Sequence, residues 1–251
     1  MKKGYYVLFL FLAIASSCHR HIHLANIERT QYTVGKDTDG LEANQELIDM
    51  ISPYKAALDE EMNTLIGTMN RTMYKRKPES EMTNWLGDVL YRQASEVSGQ
   101  QIDFAIMNYG GIRLPQIQEG EIKTGTIFEL MPFDNYVVIL ELDGRTVRSL
   151  FDKIAAAGGG WPVSKHVLLV IDDRKVDKLL IGGKTIEDDR IYSMVTSDFL
   201  ADAGDGLSML PDQTRYEFDL LIRDAIIKDV KEMTSKEGSV TSSSSGRIIQ
   251  K

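Results

Sequence analysis

Apolar residues recur at helical spacing from 44 to 69, where Leu47, Ile48, Ile51, Tyr54, Ala57, Leu58, Met62, Leu65 and Ile66 share one side. This predicts a long helical preface, bent near Pro53 because proline has no N–H to give to the turn before it. A second amphipathic helix is expected over 81–97, with Met82, Trp85, Leu86, Val89, Leu90 and Ala94 along its apolar side. The period then changes. The run D-F-A-I-M at 103–107 reads as a buried strand entering N-Y-G-G-I-R, and 136–142 as another that runs into a turn at Asp143 and Gly144. A helix over 146–157 is stopped by Gly158, Gly159 and Gly160. Strands follow at 166–171, 178–181 and 191–196, then a helix at 218–233, a serine-rich loop and a terminal strand at 247–250. Strands and helices interleave irregularly, which predicts an α+β fold, a mixed β-sheet with flanking helices.

The first residues follow another pattern. Lys2 and Lys3, an apolar run, and the small residues Ala15, Ser16 and Ser17 precede Cys18. That run, about 12 residues, falls well short of the roughly 20 that span a bilayer as a helix, so it reads as an export signal. Small residues ahead of a lone cysteine resemble a bacterial lipoprotein signal, with 1–17 removed and Cys18 lipidated; an ordinary secretory peptide and an uncleaved anchor are the alternatives. Residues 18–41 are polar and aperiodic and read as a tether, which leaves one domain over 42–251. The expected location is the bacterial cell envelope, periplasmic side or cell surface, with membrane contact through a lipid anchor only. No second cysteine exists to form a disulfide, so stability must rest on a hydrophobic core. His19, His21 and His23 alternate in the tether, where no rigid frame fixes coordination geometry, and they receive no metal role. With 29 basic against 37 acidic side chains the chain does not read as a nucleic-acid surface. A small anionic ligand requires only local arginines.

Candidate chemistry gathers around two phenylalanines in glycine-rich, acid-tipped surroundings, Phe133 in M-P-F-D-N and Phe199 in D-F-L-A-D-A-G-D-G. Two aromatic faces suit a flat base, and stacking contributes roughly 1 to 3 kcal/mol per base in comparable sites. An ionised carboxylate only accepts hydrogen bonds, so Asp205 suits a pair of sugar hydroxyls, and Gly204 and Gly206 free the backbone around it. Arg113 closes N-Y-G-G-I-R with a planar fork that fits a phosphate. The plain alternatives are core phenylalanines and a tight turn with a solvated aspartate. His, Asp and Asn at metal-ligand spacing are missing, as are a nucleophile-elbow serine and a phosphate-cradling loop. Outside the tether the one histidine, His166, stands in an apolar strand.

The ordered set N-Y-G-G-I-R, P-F-D-N, D-F-L-A-D-A-G-D-G and a terminal G-R-I resembles the C-terminal domain of bacterial and animal 5'-nucleotidases, the group that includes UDP-sugar hydrolases. The resemblance runs from about residue 44 to the last. It implies an α+β domain that binds the nucleoside, while a separate metallophosphoesterase domain carries two divalent metals and hydrolyses the ester. It also implies Phe133 and Phe199 on the faces of the base, Asn135 at its edge, Asp205 on the ribose, Arg113 on the phosphate, and Asn108 against ligand or loop. Asparagine is also a common turn former, so Asn135 stays open. Arg76 falls near another phosphate position of the family and Gly159 where a backbone group meets the base; a solvated charged loop and a helix stop serve as well. The chain departs from the usual pattern at Ala203, which replaces a glycine, at Leu207, which replaces an aromatic, and at Tyr109, a position that is often glycine.

With nothing to hold catalytic cations, the chain is expected to carry no cofactor of its own and not to be catalytic alone. The resemblance then makes it the recognition half of an envelope 5'-nucleotidase in nucleotide catabolism, its ligand a small nucleotide or nucleoside. A separate metallophosphoesterase chain is the expected partner and source of divalent metals. The alternatives are a nucleotide-binding lipoprotein for scavenging or uptake, and a structural envelope protein with a relic pocket. The helical preface offers either a surface to that partner or packing for its own domain.

Overall fold

The computed structural model describes residues 44–251; the segments expected to be signal and tether, with Cys18 and three histidines, lie outside the described residues. The chain divides after Asp49 into two units, and of the first only the opening of one helix is described. In chain order the elements begin with α1 (Gln45–Met62), β1 (Leu65–Met69), β2 (Met73–Tyr74), α2 (Glu81–Ser98) and β3 (Phe104–Ala105). They continue with β4 (Gln116–Ile117), β5 (Gly120–Lys123), α3 (Thr124–Leu130), β6 (Tyr136–Asp143) and α4 (Gly144–Ala156). The remainder are β7 (Val167–Asp172), β8 (Lys175–Ile181), β9 (Lys184–Thr185), β10 (Ile191–Ser197), α5 (Asp198–Ala201), β11 (Thr214–Leu221), α6 (Ile222–Glu237) and β12 (Ile248–Gln250).

The expected α+β fold is found, with the strands divided between two four-stranded sheets and two small antiparallel pairs, β1–β5 and β2–β4. One four-stranded sheet has the order β11-β6-β10-β3, antiparallel except for the parallel β10–β3 pair. The other has the order β12-β7-β8-β9, with β12 and β7 parallel. Strand β6 shows why the first sheet is central. Val137 and Ile139 point into one core, with Trp85, Leu86 and Ile226, while Val138, Leu140 and Leu142 point into another, with Phe151 and Leu169. Successive strand residues face opposite sides, so an unbroken apolar run marks a strand buried on both. Helices α2, α3 and α6 cover one side and α4 with the second sheet covers the other.

Local chemistry sets the element ends. Ser80 and Thr83 cap α2 reciprocally, and Gly99 closes it in the left-handed region. The carboxylate of Asp143 accepts from Thr146 N and starts α4 where the sequence places a turn. Of two expected helices, the first is shorter than its apolar period and the second is displaced along the chain. The preface ends at Met62, because the side chains of Asn63 and Thr64 bond back to the carbonyls of Asp59 and Glu60. Leu65–Met69 is a strand instead, and its Gly67 lies so close to α6 that a β-carbon would stand 2.6 Å from Val230 Cγ1. The helix expected from 218 begins at Ile222, since Thr214–Leu221 pairs with β6. Pro53 lies inside α1, none of whose side chains is buried.

Candidate functional site

Strand pairing decides which loops meet. The parallel register of β3 and β10 sets Ala105 beside Val195, so the turn after β3 and the segment after β10 leave the sheet at the same end. Antiparallel β6 pairs Val137 with Ser197, which brings its entry loop, 131–135, to that end as well. These segments enclose a cleft of about 280 Å³ lined by Asn108, Gly110, Gly111, Arg113, Phe133, Asn135, Phe199 and Asp205. Six of the eight residues singled out in the sequence thus share one concave surface, at the carboxyl ends of β3 and β10.

Each side chain is held differently. Phe133 is half-buried against the first core, and the Arg113 guanidinium lies 4.8 Å from its ring centre. Phe199 is 42% exposed, a large apolar ring left to solvent in an otherwise well-packed region. Its helix, α5, is capped by Ser197, whose side chain accepts from Leu200 N. A β-carbon on Gly204 would come within 2.5 Å of the Phe199 ring, so only glycine lets that ring lie flat on the following turn. Ala203 and Asp205 both have positive φ, 69° and 53°, which turns the Asp205 carboxylate back across the cleft. There Asp205 Oδ2 accepts from Asn108 Nδ2 at 2.9 Å. Gly111 leaves room for that arrangement, since a β-carbon there would stand 2.7 Å from Asn108 Oδ1. Leu207, which replaces an aromatic, is fully buried in the second core.

Arg76 and Gly159 do not line the cleft. The guanidinium of Arg76 turns to the Tyr74 ring, 4.6 Å away. Gly159 ends α4, its N–H donating to Ile154 O, and packs beneath the 77–78 backbone, where a β-carbon would stand 2.9 Å from Pro78 O.

The sequence reading passed over Lys75 and Lys77. Lys75 Nζ sits 4.0 Å from the centre of the Tyr109 ring and donates to Ile112 O at 2.8 Å; Lys77 Nζ is 5.3 Å from the same ring and donates to Ala157 O. Burial pushes the Lys75 ammonium below its ordinary value, with further lowering from Arg113 and Lys77. Three cations therefore collect around the N-Y-G-G-I-R turn. The signal was available, because alternate residues of an extended segment share a face and K-R-K offers positions 75 and 77 together.

The terminal G-R-I serves this region from behind. Arg247 is buried and bonds both carboxylate oxygens of Asp88 and the carbonyls of Asn84 and Val163. Beside it the Glu79 carboxylate accepts from Ser245 N, Arg247 N and Asn84 Nδ2. The 75–79 segment is thereby fastened to the strand that precedes and includes β12.

Among the described residues no three His, Cys, Asp or Glu side chains stand together so as to hold a metal ion. No helix among them is long and apolar enough to cross a membrane.

Fold and cleft together define an α+β domain whose loops meet over one end of a mixed sheet. Residues 61–212 match the family profile described as 5'-nucleotidase, C-terminal domain, and the chain belongs to that family. It is 28% identical over 184 residues to protein UshA of Escherichia coli, covering 71% of this chain and 33% of that protein. A 5'-nucleotidase of Vibrio cholerae is 25% identical over 203 residues, covering 79% of this chain and 36% of its own length. The crystal structure of a 5'-nucleotidase precursor from Thermus thermophilus shares the fold, with a TM-score of 0.68 at 20% identity over 82% of this chain and 42% of that one. The chain thus spans about a third of the length of the curated relatives it matches.

Proposed function

We propose that the chain is the nucleoside- or nucleotide-recognition half of a bacterial envelope 5'-nucleotidase in nucleotide catabolism, with phosphomonoester hydrolysis supplied by a separate metallophosphoesterase chain that brings the divalent metals. The observation that carries this is the lining of the cleft: two phenylalanines, an aspartate and an arginine from three loops, in a chain of this family. At about 280 Å³ the cleft is small for a ligand pocket, in keeping with a nucleoside as the buried part. The base lies against Phe133 and Phe199 with Asn135 at its edge. Asn108 occupies one oxygen of Asp205, which leaves the other to accept from the ribose hydroxyls. The phosphate extends towards Arg113, with Lys75 and Lys77 adding positive potential beyond it. The envelope location and lipid anchor rest on Cys18 and the residues before it.

Calorimetry on the mature chain with AMP and adenosine tests the site. Phe199→Ala should weaken both ligands by about tenfold or more, the loss of one stacking face. Arg113→Ala should weaken AMP and leave adenosine nearly unchanged. Absence of binding by the wild-type chain removes the reading. Hydrolysis of AMP with Mn²⁺ by this chain alone, abolished by Phe199→Ala, removes the division of labour.

A further inference from the structure

Arg223 is the second residue of α6, at the end of a helix where the aligned peptide dipoles disfavour a cation. It is nevertheless only 8% exposed, its guanidinium lies 4.1 Å from the centre of the Phe128 ring, and its buried Nε has no hydrogen-bond partner among the described residues. Burial of a charge at the wrong end of a helix is costly, and an apolar residue of similar length would suit both helix and core better. Its contacts lie elsewhere. Arg223 Nη2 donates to Asp134 Oδ1 at 2.6 Å, and the preceding Ile222 N donates to Asn135 O at 2.9 Å. Phe128 belongs to α3, just before the loop that carries Phe133, and Asp134 belongs to that loop, so one guanidinium touches both ends of it. Along the loop Phe133 and Asn135 line the cleft while Asp134 between them turns to Arg223.

We propose that Arg223 is a positioning residue for the recognition site: by holding Asp134 it fixes the 133–135 loop, so that the Phe133 ring and the Asn135 side chain face the cleft before any ligand arrives. Its effect on binding rests on the nucleoside reading above; its effect on the loop does not. Preorganisation of this kind improves affinity by lowering the ordering cost of binding. The pair joins a buried guanidinium to a carboxylate that is 75% exposed, so the carboxylate can be altered without opening the core.

The test compares the wild-type mature chain with Arg223→Met, Arg223→Lys and Asp134→Asn by amide hydrogen exchange without ligand and by titration with adenosine. Asp134→Asn and Arg223→Met should speed exchange over 133–135 and weaken adenosine about three- to tenfold, while Asp134→Asn, altered at an exposed side chain, still folds. Arg223→Lys, which keeps a charge but not the fork, should fall between. Should Arg223→Met fail to fold, Asp134→Asn decides, because its exposed carboxylate is no part of the core. Wild-type exchange and wild-type affinity in Asp134→Asn overturn the proposal. A loosened loop in a chain that binds no nucleoside at all upholds the positioning role and removes the nucleotide reading instead.

Discussion

Lys75 carries its charge in an awkward place, partly buried and next to two other cations, and each of those conditions favours losing the proton. Its ammonium therefore neutralises at a lower pH than a free lysine, whose value is 10.5. A bound phosphate is stabilised only by the charged form, so affinity for AMP should fall as pH rises through the Lys75 transition, which lies on the alkaline side but below the ordinary 10.5, while affinity for adenosine stays level. Titrations of both ligands over that range check the sign, and Lys75→Met should remove the slope. Parallel behaviour of AMP and adenosine excludes Lys75 from the anionic end of the site. Much at this scale was legible in the sequence. Glycines and acids beside Phe133, Phe199 and Asp205 mark loop positions at strand ends, where the structure puts them. That positions 75 and 77 share a face was legible in K-R-K, but whether that face or Arg76 turns inward was not, because it depends on where the Tyr109 ring lies, and the ring's place follows from tertiary packing against Gly160.

Elements were readable where one period ruled a long run and unreadable where two periods agreed. The spacing of Met62, Leu65 and Ile66 fits a helix as well as it fits a helix end followed by a strand, and only side chains bonding back to Asp59 and Glu60 separate the two. Strand β11 escaped notice because T-R-Y-E-F-D-L-L is half-exposed and charged, as an edge strand is, and its last residues run into the apolar period of α6. The terminal strand was visible, but its purpose was not. Arg247→Met should cost about 3 to 5 kcal/mol, because it leaves the Asp88 carboxylate and two carbonyls without their partner. Denaturant unfolding measures that loss. A change below about 1 kcal/mol would show that water or a shifted side chain replaces the clamp.

At the scale of the whole molecule, two cores flank one sheet and the cleft lies at an end of that sheet, outside both. Apart from Phe133, which packs against the first core, the cleft side chains can therefore vary with little effect on the packing that holds the domain together. The convergence of Asn108, Phe133, Phe199 and Asp205 could not be read from their order in the chain, since it is produced by the parallel and antiparallel registers of β3, β6 and β10. Helix α1 stands apart from this economy, with Met50, Ile51, Tyr54 and Leu58 exposed and none of its side chains buried. Leu58→Asp should accordingly change the stability of the chain by no more than about 0.5 kcal/mol, as surface substitutions do. Calorimetric unfolding checks this, and a large loss would mean that the helix packs on its own domain after all.

Arg247 lies 159 positions after Asp88, the carboxylate it secures. At ribosomal speeds of about 5 to 20 residues per second, the two are made on the order of 8 to 30 s apart. Until then the segment that bears Lys75 and Lys77 lacks its fastening through Glu79 and Asp88, and is held by the β2–β4 pair and by the bonds from Lys75 N to Pro115 O and from Gly160 N to Pro78 O. The strand that closes the domain also times its closing.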